Sequence, residues 1–124
     1  MKETLTLKHP ILVENKKIKE LEYDFEQLDV YDMMEAFSTA HPVGSPSVTL
    51  VAEYDILYQF EMFCQAVIKA QDHLERMDVK RIRGIDARKA MELGRAFLLG
   101  ADEEEETDGE ETGSEKPSPN SALN

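Results

Sequence analysis

The chain has 124 residues, 41% of them hydrophobic, which is enough for one small domain with a core and too little for two. Its 26 acidic and 14 basic residues leave a net charge of -12, a balance that argues against general affinity for nucleic acid or for an anionic membrane. The charge is uneven: residues 101–124 hold nine acidic residues and one basic, so that tail carries -8 and residues 1–100 only -4.

The odd positions Leu5, Leu7, Ile11 and Val13 are apolar, and Leu21, Tyr23 and Phe25 repeat the two-residue period after an Asn15-Lys16-Lys17 turn. This pattern predicts a β-hairpin over 3–25. Pro10 cannot donate to a ladder, but each strand of a two-stranded ribbon has a free edge on which the missing N–H costs little. Two strands are marginal alone, so the face bearing Leu21, Tyr23 and Phe25 needs helical cover. Asp29 is placed to cap a helix over 29–40, along which Val30, Met33, Met34 and Phe37 form one apolar stripe. Two prolines and a glycine within 41–46 end that helix. With Ser47 or Thr49 as cap, a longer helix over 49–74 carries Leu50, Tyr54, Leu57, Tyr58, Phe60, Phe63, Cys64, Val67 and Ile68 around more than half of its circumference.

A short helical turn is expected over 78–83, ending near Gly84, and a last helix over 86–99, capped by Asp86 and stopped at Gly100. Ala87, Ala90, Met91, Gly94, Phe97 and Leu98 share one of its faces. The expected architecture is therefore α+β, one N-terminal hairpin followed by three or four helices within 1–100. Residues 101–124 contain too little apolar material to offset the entropy of ordering and are expected to be a disordered acidic tail.

No catalytic residue, cofactor or metal ligand is assigned. Asp29, Asp32 and Glu35 recur at i, i+3 and i+6, a spacing that can perturb carboxyl pKa values or hold a hard cation. Acids are also favoured in a first helical turn and along a solvated face, and no nucleophile and base accompany these three in sequence. Cys64 lies mid-helix as a small hydrophobe, without the basic or helix-terminal setting of a reactive thiol. It closes no intramolecular disulfide, and His9, His41 and His73 are too scattered for a zinc spacing, which points to a reduced, cytosolic compartment. The N-terminus lacks the apolar run of a signal peptide. Glu53, Asp55, Glu61 and Lys69 interrupt the most hydrophobic stretch, so no membrane span is expected.

Two features point to protein binding. Arg76, Lys80, Arg81, Arg83, Arg88, Lys89 and Arg95 fall among only three acids, Asp78, Asp86 and Glu92. Without interleaved aromatics or a DNA-reading motif, such a patch pairs with nearby acids or meets an acidic partner rather than nucleic acid. The wide apolar face of the 49–74 helix is either the wrapped centre of the domain or partly a partner site, and both readings stand. Leu57, Tyr58, Phe60, Phe63 and Val67, flanked by Arg81, Arg83 and Arg88, are the candidate contact residues.

The opening Leu5-Thr-Leu-Lys8, Pro10-Ile11, Ile18, Leu21 and Asp32, with a long central helix, a basic stretch and a closing Ala96-Phe97-Leu98, resembles the tail assembly chaperones of contractile-tailed and Mu-like phages and prophages. The likeness covers about residues 3–99. Members often carry basic residues after the second strand, where this chain has Tyr23-Asp24-Phe25-Glu26. The resemblance implies a noncatalytic factor of the bacterial host cytoplasm that coats the tape-measure protein, keeps it soluble and recruits tail-tube subunits, with self-association left open. It also implies a longer frameshifted product joined near Ala96-Phe97-Leu98. A minor structural component of the tail is the competing reading, and a small hydrolase using Asp29, Asp32 or Glu35 stands behind it.

Overall fold

A computed structural model describes residues 1–44 and 53–100 of the chain, so the expected caps Ser47 and Thr49 and the 101–124 tail lie outside the described residues. Strands β1 (Glu3–Val13) and β2 (Lys16–Tyr23) pair antiparallel, and helices α1 (Val30–Ala40), α2 (Ile56–Ala70), α3 (Arg76–Val79) and α4 (Ile85–Leu99) follow. The α+β architecture is thus as the pattern requires. Glu14 and Asn15, both at positive φ (51° and 66°), form the two-residue turn of the hairpin, the backbone twist that such tight connections favour. The turn therefore lies one residue earlier than the Asn15-Lys16-Lys17 reading.

Leu5, Leu7, Ile11, Leu21 and Tyr23 form the inner face of the hairpin and pack on Phe63, Cys64, Ala66 and Val67 of α2. Helix α2 is the centre of the domain, in contact with β2, α1, α3 and α4. Glu61 to Val67 are all buried, which accounts for an apolar face wider than a surface helix needs. Aromatic rings tie the layers together: Tyr23 lies 5.3 Å from Phe63, and Phe25, on a 3-10 turn after β2, stacks on Phe97 of α4 at 4.8 Å.

Helix α2 is shorter at both ends than the apolar pattern predicts. Asp55 caps it, its carboxylate accepting from the Tyr58 amide at 3.1 Å, so residues 53–55 lie outside the helix. At the other end Gln71 leaves the helix and accepts the Glu22 amide of β2 at 2.8 Å through its side chain, while Leu74 reaches the core from the turn beyond. The short turn predicted over 78–83 forms earlier, as α3, with the Glu75 amide donating to Asp78 at 2.9 Å.

The last helix begins at Ile85 after Gly84, whose φ of 61° and ψ of -130° suit a residue without a side chain. Asp86 is therefore not the cap. It is buried inside the first turn, and its two carboxylate oxygens accept the Lys8 amide at 2.8 Å and the His9 amide at 2.9 Å. This contact sits at an interruption of the β1–β2 ladder that includes Pro10. The register runs regularly to Thr6 opposite Glu20 and resumes at Ile11 opposite Ile18, so Leu7 to Pro10 face only Lys19. Amides that lose their ladder partners at this bulge are satisfied by a carboxylate from α4.

Candidate functional site

Helix α1 packs chiefly on α2, and it does so through its less apolar side. Ala36 is its only buried residue, and Asp32 reaches α2 to accept from Lys69 Nζ at 2.8 Å and from Gln65 Nε2 at 3.2 Å. The stripe of Val30, Met34 and Phe37 is consequently turned outward. Exposure runs from 51% at Phe37 through 59% at Met34 and 67% at Val30 to 80% at neighbouring Tyr31. Val30, Met33, Met34, Phe37 and Ser38, with Tyr58 of α2 opposite, line a groove of about 460 Å³. The Phe37 ring meets Tyr58 edge to face at 5.3 Å and lies 5.0 Å from His41. Exposed apolar surface continues onto Tyr54, Ile56 and Leu57 at the start of α2.

The wall of this groove is held where α1 ends and α2 begins. His41, which terminates α1, pairs through Nε2 with Asp55 Oδ2 at 2.7 Å, and Asp55 is the cap of α2. One buried carboxylate thus fixes both helix ends beside Tyr58. Burial, and then the charge of Asp55, push the Tyr58 phenol above its usual range.

The predicted contact residues separate. Leu57 is exposed, Tyr58 lines the groove, and Phe60 is half-buried against the core. Phe63 and Val67 have no exposed surface, which corrects their place among the contact residues: they belong to the core cluster that covers Leu21 and Tyr23 of the hairpin. Arg81, Arg83 and Arg88 are exposed but do not line the groove. Arg81 donates to the Leu12 carbonyl of β1 at 3.3 Å, and Arg88 lies 3.9 Å from Glu92. Two other members of the basic stretch are spent internally, Arg76 and Lys80 each 3.1 Å from the buried Glu61.

The three acids of α1 each have a local task. Asp29 and Asp32 exchange side-chain and backbone hydrogen bonds in a reciprocal cap, and Glu35 is 4.0 Å from Arg76. No cluster able to hold a metal ion occurs among the described residues. Cys64 is fully buried, and burial, then Glu61, push its thiol up to about 12, so it is protonated at neutral pH. No described helix is long and apolar enough to cross a membrane.

The Asp32 contact gives α1 a defined pH response. Burial raises its carboxyl, but the Lys69 hydrogen bond, the Asp29 amide, the Gln65 amide and the Lys69 charge together outweigh burial and bring it from 3.8 to about 2. A carboxyl depressed in the folded state contributes stability above its unfolded value and loses it as pH falls through the folded value. The Asp32 contribution is therefore intact above about pH 4 and lost toward pH 2. Asp32→Asn is expected to be less stable than wild type at neutral pH, with the gap closing over that interval in urea melts. Parallel curves would show that the pair does not anchor α1.

The groove and the His41–Asp55 link escaped the sequence reading for different reasons. The α1 stripe is visible in the sequence, but its outward direction follows from Ala36 and from the distant Lys69. Asp55 directly precedes an apolar run, which is a capping signal, yet stronger-looking turn chemistry precedes it. Compared with family models, with curated proteins and with solved structures, the chain matches none.

Proposed function

We propose that this protein is a noncatalytic binding module of phage tail assembly, a chaperone that holds the tape-measure protein in the host cytoplasm and helps recruit tail-tube subunits. The observation that supports this reading best is the apolar groove on α1, continued by Ile56 and Leu57. A long helical client exposes repeating apolar stripes that self-associate unless covered, and a helix-in-groove contact is a direct way to cover them. Two methionines, Met33 and Met34, line the groove, and their flexible side chains adapt to a client whose sequence changes along its length. Many weak sites of this kind on one extended client add through avidity.

Coexpression with the tape-measure protein of the same genome is expected to raise that protein's solubility and yield a copurifying complex. Met34→Asp and Phe37→Asp, at exposed positions, are each expected to leave the fold intact and to reduce the copurifying client at least about tenfold, since a buried carboxylate without a partner disfavours the complex. A tape-measure protein equally soluble alone would remove the chaperone reading. Retention of the protein in purified tails would replace it with a structural one.

A further inference from the structure

On the premise that the α1 groove is a docking surface, we propose that its occupant is a basic amphipathic helix, with an apolar stripe for the groove and Lys or Arg on its flanks. The charge pattern around the groove carries the inference. From residue 20 to residue 68 the chain contains ten acidic residues and not one Lys or Arg, and every residue lining the groove falls within that interval. Cations from outside the interval neutralise part of this charge: Lys69 pairs with Asp32, Arg76 and Lys80 with Glu61, Arg95 with Glu53, Lys2 with Glu22, and the N-terminus with Asp24.

Of the remainder, Glu20 lies on β2 opposite Thr6, Asp55 pairs with His41, and the other three belong to α1 or the turn before it. Glu26 and Asp29, both exposed, lie at the end where α1 begins, and the exposed Glu35 lies on the flank of α1 toward Arg76, 4.0 Å away. Glu35 keeps a long ion pair with Arg76, and Glu26 and Asp29 have no salt bridge within 4.0 Å among the described residues. An apolar trough on a helix whose only charged residues are acidic discriminates by sign: a helix with cationic flanks is attracted, whereas one with anionic flanks meets like charge at the moment of docking. Lys and Arg also lay their aliphatic stems along apolar rims, so such flanks extend the contact rather than interrupt it. The outward side of α1 and the first turn of α2 contain no cation with which an acidic partner could pair.

The test uses the full chain and labelled helical peptides of identical apolar stripe, with flanks of Lys, Gln or Glu, measured by fluorescence anisotropy. The Lys peptide is expected to bind about tenfold or more tighter than the Glu peptide at low salt, with the preference collapsing at high ionic strength. Glu26→Gln/Asp29→Asn/Glu35→Gln, in which Asn keeps the cap of α1, is expected to abolish the preference while leaving Gln-peptide binding unchanged. Phe37→Asp is expected to abolish binding of all three peptides. Undiminished Lys-peptide binding to Phe37→Asp would assign the attraction to net charge elsewhere, including the acidic 101–124 segment, and overturn the proposal. Equal affinity for all three peptides would overturn charge selection while sparing the groove as a docking surface. Absence of binding by any peptide would overturn both.

Discussion

Gly94→Ala is expected to destabilise the domain by about 3 kcal/mol or more, although the same change in an exposed helix stabilises by roughly 1 kcal/mol. The reason is where α4 crosses α2. A β-carbon at position 94 would lie 1.9 Å from the Gln59 carbonyl oxygen, 2.8 Å from its carbon and 3.2 Å from its α-carbon. All three atoms are backbone, so no side-chain rotation relieves the overlap and one helix must move. Displacing α4 would loosen Ala90 in the core and the stacking of Phe97 on Phe25. Urea or thermal unfolding monitored by circular dichroism measures the effect. A variant as stable as wild type would mean that the two helices do not approach so closely.

Asp86→Asn is expected to be the second most damaging change, at about 2–3 kcal/mol. Both oxygens of this buried carboxylate accept backbone amides, and an asparagine supplies one acceptor while turning an amino group toward the other N–H. The variant also loses a negative charge in the first turn of α4, where it opposes the helix dipole favourably. Amide hydrogen exchange distinguishes this local cause from a general loss of stability. Lys8 and His9 should lose protection well before Leu5 and Leu21, which pair in the regular part of the ladder. Uniform loss across the hairpin would argue that Asp86 supports α4 rather than the bulge.

Elements with a local cause were legible in the chain. The hairpin follows from its two-residue period, α1 from Asp29 and the spacing of its apolar residues, and the end of α4 from Gly100. Features with a distant cause were not. Asp86 reads locally as a cap because Asp is favoured there, whereas its partners are amides 77 and 78 positions away. Phe63 and Val67 read like Leu57 as members of one broad apolar face. Which sector of that face is covered depends on where the hairpin lands. For the candidate site, the stripe was visible and its direction was not, because the side of α1 that meets α2 is set by the small Ala36 and by an ion pair to the distant Lys69 rather than by the larger apolar residues.

The grip of Asp86 on β1 also orders events in time. While the chain emerges from the ribosome, the hairpin precedes α4, yet its interrupted strand waits for a carboxylate translated 77 positions after His9. Until then two amides beside Pro10 have only water as acceptors, and the ribbon is held by little more than its turn and its short regular ladders. The hairpin is thus locked only after α4 has been made, so a nascent chain cut before residue 86 should lack a persistent hairpin.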